Sequence, residues 1–211
     1  MKKYISKFHY LTQDLPHRSH AEQTQLACEA GANWIQYRCL SKNDEDLMAE
    51  IHQLAPICDD WGATLILTGH THLLDQVDAQ GVHIEDIGAD LAAIRRQIGD
   101  DKTLGASAHT FEDIQRIAQS GAADYIGCGP FRTTLTKPND HALLGIEGYE
   151  TIISKMKEAG ISVPLLAVGG IEPDDAEDLL RTGVFGLAVS AAINLADDPR
   201  EVIRNLYRKI Y

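Results

Sequence analysis

Val163-Pro164-Leu165-Leu166-Ala167-Val168 is a short apolar run that ends in Gly169-Gly170. The pattern returns in Val184-Phe185-Gly186-Leu187-Ala188-Val189, which ends at Ser190. A helix start follows each run. Apolar runs of this length, bounded by small residues, read as strands buried on both faces. Together they read as the last two strands of a (β/α)8 barrel, where the loops after strands seven and eight often bind phosphate through backbone N–H groups. Glycine lets the backbone approach the anion, and a helix N-terminus adds positive potential. A tight strand-to-helix turn without a ligand is the plainer reading of Gly-Gly alone. The matching small-residue turn one unit later favours phosphate.

Outward from this stretch, strand-like and helix-like segments alternate along the whole chain. Phe8–Thr12, Trp34–Arg38, Thr64–Thr68, Gly81–Ile84, Leu104–Ala108 and Asp124–Cys128 supply the six preceding strands. Between them lie a helix from Ser19 to Gly31, one capped by Asn43 and running Leu47–Cys58, and one through Leu73-Leu74. Leu91–Ile98 follows, then a helix capped by Thr110 with Asp113 three residues on. The last helices are Tyr149–Ala159, one starting at Pro173 and stopping at Gly183, and Pro199–Tyr207. Eight βα units with short links predict a single (β/α)8 TIM barrel, class α/β, over residues 1–211. A doubly wound open sheet is the rival, but no G-x-G-x-x-G follows the first strand. The segment Gly129–Leu144 is a long polar loop, and loops of that length in compact barrels tend to be functional.

The 211 residues carry a net charge of −12 with no basic cluster, which argues against nucleic-acid binding. The N-terminus lacks an apolar signal segment and no run has membrane-spanning length, so a cytoplasmic protein is expected, without membrane partners. A homo-oligomer is compatible with the sequence. Cys28, Cys39, Cys58 and Cys128 show no C-x-x-C spacing and read mainly as packing residues.

In a (β/α)8 barrel the chemistry sits at the C-terminal ends of the strands. There the chain offers Gln36, Arg38, Thr68, His70, His72, His83, Glu85, Asp86, Ser107 and His109. An arginine at a strand end needs an inward carboxylate or an anionic ligand, and Arg38 has both options open. Thr134-Leu135-Thr136-Lys137 puts two hydroxyls and a cation on the loop after strand six, which suits a diphosphate or simply a solvated loop. Asp86 is the candidate Mg²⁺ ligand, since Mg²⁺ on phosphates takes one or two carboxylates. Its alternative role is that of a helix-entry residue. His109 is either an acid–base group or a polar residue at a strand exit. His70-Thr71-His72 lacks the helical spacing of a zinc pair.

Taken in order, Trp34–Arg38, Gly81–Ile84, Gly105–Thr110, Ala123–Pro130, Thr134–Lys137, Ala167–Ile171 and Ala188–Ser190 resemble the thiamine phosphate synthases and their TenI-type relatives across nearly the whole chain. The resemblance implies a thiamine-biosynthesis transferase acting on small phosphorylated heterocycles. Hydroxymethylpyrimidine diphosphate would lose pyrophosphate, and the nitrogen of hydroxyethylthiazole phosphate would capture the resulting cation. It implies that Gln36, Arg38, Ser107, Thr134, Thr136 and Lys137 hold the diphosphate substrate, with Thr68 beside them. Gly170, Val189 and Ser190 would hold the thiazole phosphate by backbone N–H. The family's Asn-Asp after strand three reads Thr68-Gly69 here, its second basic residue is Leu40, and the segment after His83 is shorter. These departures leave Asp86 to carry Mg²⁺. They also admit a TenI-type thiazole tautomerase using His109 without metal, or a non-catalytic phosphate-binding relative.

Overall fold

Parallel pairing runs in chain order through β1 (Phe8–Leu11), β2 (Trp34–Tyr37), β3 (Thr64–Thr68), β4 (Gly81–Ile84), β5 (Thr103–Ala108), β6 (Tyr125–Cys128), β7 (Leu165–Val168) and β8 (Gly186–Val189). β8 then pairs with β1, Phe8 opposite Leu187 and Tyr10 opposite Val189, and the sheet closes into the expected barrel. The computed structural model describes residues 3–133 and 141–211.

Side chains alternate across each strand. Tyr10, Ile35, Leu65, Leu67, Val82, Leu104, Ile126, Leu165 and Leu187 turn outward into the main core beneath the helices. Trp34, Ile66, Tyr125 and Leu166 form a second, inner cluster that fills the barrel with Ile5. His9 stacks on Trp34, centroids 4.3 Å apart and planes 14° from parallel, and meets the Tyr125 ring edge-on. Burial holds the His9 pKa well below the usual histidine value, so it sits there neutral. Rings this large fit because the neighbouring strands give way. A Cβ on Gly105 would clash with Tyr125 Cζ, and one on Gly186 would strike the Lys7 carbonyl.

The helices follow their caps. α1 (His20–Glu29) opens on a reciprocal Ser19–Glu22 capping box, and Asn43 caps α2 (Asp44–Trp61), which ends on left-handed Gly62. α3 (Leu91–Ile98) starts at Asp90, and α4 (Phe111–Ser120) at the Thr110–Asp113 box. α5 (Gly145–Glu158), α6 (Ala176–Arg181), α7 (Ala191–Asn194) and α8 (Pro199–Ile210) complete the ring. Three details differ from the sequence reading. The segment through Leu73-Leu74 is a 3₁₀ turn, Thr71–Gln76, too short to settle into an α-helix. α5 begins at Gly145, ahead of the expected Tyr149, and α7 was not anticipated. Among the described residues no helix is long and apolar enough to cross a membrane.

Candidate active site

Leu11, Ser107, Gly127, Val168 and Ala188 face inward at the last turn of their strands and floor a cavity at the barrel's C-terminal mouth. The walls continue past the strand ends, where the side-chain direction repeats: Gln13, His109, Gly129, Gly170 and Ser190 come two residues after these floor residues, and Arg38 and Glu85 two residues after Gln36 and His83. Strand period thus turns separate loop residues into one ring.

Arg38 and Glu85 make the charged side of that ring. Arg38 Nε donates to Glu85 Oε1 at 2.8 Å and an Nη donates to Oε2 at 3.3 Å, with both side chains largely buried. Arg38 therefore has the inward carboxylate that its strand-end position calls for. Its backbone N–H is fixed on Thr12 Oγ1 at 3.1 Å. Ser107 Oγ lies 3.0 Å from His83 Nε2, and His83 Nδ1 lies 3.1 Å from Tyr125 Oη. Burial pushes the Tyr125 phenol far above its ordinary range, so this chain stays uncharged at Tyr125. Gln36 and Thr68 are brought together one layer below. Gln36 Nε2 donates to Thr68 Oγ1 at 2.9 Å, both are buried, and neither lines the cavity.

The opposite side is made of backbone. Gly169 and Gly170 have φ of 95° and 70°, a left-handed region that glycine enters without strain. The loop after β6 packs on them. Arg132 N–H donates to the Gly169 carbonyl at 3.0 Å, and a Cβ on Gly170 would come within 2.9 Å of Arg132 Cβ. Both requirements demand glycine here. Beside this turn, at the end of the neighbouring strand, Val189 and Ser190 line the same cavity. The Ser190 hydroxyl is turned away to structural work, donating to the Leu11 carbonyl at 3.1 Å and accepting from Asn194 Nδ2 at 3.1 Å.

His109 closes the rim between the two sides. Its Nδ1 lies 2.5 Å from the Gly129 carbonyl, which can only accept, so Nδ1 carries a proton. The ring stacks on His141 with centroids 3.6 Å apart. The His109 backbone N–H is held by Asp113, the residue that also caps α4.

Three expected ligands, Thr134, Thr136 and Lys137, lie outside the described residues. Asp86 is not part of the ring. It lines a separate cavity between α3 and α4, and its carboxylate accepts the Gly88 N–H at 2.8 Å. Glu85 takes the inward place beside it. Sequence reasoning named Glu85 only as a strand-end residue, and Gln13 not at all. The signal that finds both is parity: Glu85 follows inward His83 by two, and Gln13 follows inward Leu11 by two. At the rim, His72 Nε2 pairs with Asp44 Oδ2 at 2.8 Å beside His70, all three near the surface.

Comparison with known proteins meets this geometry. A family profile described as TMP-TENI, thiamine monophosphate synthase, matches residues 10–193. The chain belongs to the thiamine monophosphate synthase family. It is 38% identical over 197 residues to a thiamine-phosphate synthase of Bacteroides fragilis, covering 93% of this chain and 96% of that one. It is 34% identical to the enzyme of the same name from Flavobacterium johnsoniae, over 98% and 97% of the two chains. A solved thiamine phosphate pyrophosphorylase from Pyrococcus furiosus superposes with a TM-score of 0.84 at 26% identity, covering 97% of this chain and 95% of that one. The family profile begins within β1 and ends within α7, so it spans every strand that contributes to the ring.

Proposed function

We infer that the chain is a thiamine-phosphate synthase, joining hydroxymethylpyrimidine diphosphate to hydroxyethylthiazole phosphate with release of pyrophosphate. The observation that carries this reading is the two-sided cavity: a largely buried arginine on one wall, a glycine-lined backbone turn on the other. Two anionic substrates need two anion sites facing a shared centre. The bond between the pyrimidine methylene carbon and the diphosphate oxygen breaks, and its electron pair leaves with pyrophosphate. The thiazole nitrogen lone pair then forms the new carbon–nitrogen bond. No proton is required in either step.

Arg38 is the fixed positive charge on the leaving-group side, and Ser107, oriented by His83, is the neighbouring hydroxyl. Thr134, Thr136 and Lys137 join them in this proposal. Gly170, Val189 and Ser190 offer backbone N–H groups to the thiazole phosphate. The engaged Ser190 hydroxyl supports a backbone role for that residue. The donor set fits magnesium held by one protein carboxylate and by the diphosphate itself, with Thr68-Gly69 contributing no carboxylate. By its place in the cavity wall, Glu85 is the carboxylate that would hold the ion, in preference to Asp86. Magnesium supplies charge neutralisation at the departing pyrophosphate.

His109 supports a second reading, because an imidazole is an acid–base group and this one lines the cavity with its Nδ1 fixed on Gly129. The deciding experiment supplies purified protein with both substrates and Mg²⁺ and follows thiamine phosphate. In parallel it supplies the thiazole carboxylate tautomer without metal. Synthase turnover that falls at least about 100-fold in Arg38→Ala supports the reading. Metal-free tautomerisation lost in His109→Ala, with no thiamine phosphate formed, would replace it with the TenI-type reaction.

A further inference from the structure

Behind the Arg38 wall, outside the ring, three metal-ligating side chains from three segments converge. Asp14 lies on the loop after β1, His20 at the first position of α1, and Cys39 just past β2. One ligand atom from each lies within 4.8 Å of the others. His20 and Cys39 are buried, whereas the Asp14 side chain is 35% exposed, so the group opens to solvent on one side only.

We propose that Asp14, His20 and Cys39 bind a zinc-like divalent ion, with solvent as the fourth ligand. Imidazole, thiolate and carboxylate are the donors that zinc takes in three-ligand sites with an open position. Zinc–ligand bonds of about 2.0–2.3 Å place tetrahedral neighbours roughly 3.3–3.6 Å apart. His20 Nε2 and Asp14 Oδ1 stand 2.9 Å apart, so an ion enters by a small spreading of a pair that already faces inward. The outer contacts are those of a metal site. His20 Nδ1 lies 2.7 Å from Thr12 Oγ1, which can accept the proton that a metal-bound imidazole carries on its other nitrogen. The Leu40 N–H holds Asp14 Oδ2 at 3.0 Å and leaves Oδ1 for the ion.

The donor set separates this site from the reaction's magnesium. Thiolate and imidazole select zinc, copper or cobalt over magnesium, which prefers oxygen. Position links it to the cavity nonetheless: Asp14 follows Gln13 and Cys39 follows Arg38, and both predecessors line the wall. An ion here would pin those two loops together. The rim cluster of Asp44, His70 and His72 has no sulfur, which gives the test its discriminating signal.

Cobalt(II) titration of the full chain reads the site directly, because thiolate coordination gives a charge-transfer band that nitrogen and oxygen ligands do not. One equivalent of Co²⁺ should raise that band and Zn²⁺ should quench it. Cys39→Ser should abolish it, Asp14→Asn and His20→Gln should weaken Co²⁺ binding, and Thr12→Val should cost about 10–100-fold in affinity. His72→Ala should leave the band intact. Circular dichroism checks each variant's fold, and Asp14→Asn, at the partly exposed ligand, keeps the test alive if a buried substitution unfolds the chain. A folded wild-type protein with no thiolate band overturns the proposal. So does a band that survives in Cys39→Ser, or metal binding lost only in His72→Ala.

Discussion

Side chains two apart on a strand point the same way, so Glu85 shares the inward side with His83 while Asp86 follows Ile84 toward the helices. That single step of register decides which carboxylate faces the cavity. Neutralising Glu85 in Glu85→Gln should raise the Mg²⁺ concentration needed for half-maximal turnover, because the ion loses a charged oxygen. The same change leaves the Arg38 charge uncompensated, so pyrophosphate should bind more tightly to Glu85→Gln in the absence of metal. Asp86→Asn should leave both quantities near wild type and cost about 1 kcal/mol of stability at most, through its Gly88 contact. Magnesium titrations of the two variants check this, and equal sensitivity would remove the distinction. Parity was readable in the sequence once His83 was placed inward. Asp86 is the candidate that carboxylate chemistry alone offers after His83; the segment is shorter there than the family's, so alignment does not separate it from Glu85.

Elements were legible where capping and periodicity agreed. Ser19, Asn43 and Thr110 all accept the backbone bonds that their positions announce. The misses fall where no cap speaks: Leu144 caps α5 with no side-chain bond, and Ser190 opens α7 with its hydroxyl engaged elsewhere. The glycines of β5 and β6 read only as strand residues in the sequence, since the rings that need their space, Tyr125 for Gly105 and His83 for Gly127, are remote in sequence from them. Gly105→Ala should therefore be far costlier than its size suggests. Its methyl group would displace the Tyr125 ring and its bond to His83, an overpacking penalty of about 1–3 kcal/mol. Denaturant unfolding should show a lowered midpoint at unchanged slope. At the other end of β5, Asp113 caps α4 and holds His109. Partial burial raises its pKa, but bonds from His109 N–H and Thr110 outweigh that and leave it lowered in the folded state. A lowered folded pKa adds stability above the unfolded value, near 3.9, that is lost as pH falls through the folded value. Asp113→Asn should remove that acid-side dependence, so the wild-type advantage in thermal melts should shrink below about pH 4.

At the scale of the whole molecule, the closed barrel sets Arg38 and Ser107 from β2 and β5 against the Gly169-Gly170 turn and Ser190 from β7 and β8. No one βα unit holds both walls; the barrel brings them face to face by closing. The two sites should then bind independently. Inorganic pyrophosphate with Mg²⁺ and hydroxyethylthiazole phosphate should occupy the protein together, each with an affinity little changed by the other, as two calorimetric titrations in either order would read. The substitutions should separate them. Gly170→Asp places a carboxylate where the thiazole phosphate would sit, in a left-handed position already tight against Arg132, and should abolish thiazole phosphate binding. The variant should bind pyrophosphate as before, because the Arg38 wall is built on different strands. Arg38→Ala should show the converse. Competition between the two ligands, or loss of both in either variant, would mean that one shared anion pocket serves both substrates. Coupling would then need both phosphates in turn at the same backbone turn, which a direct attack of the thiazole nitrogen does not allow.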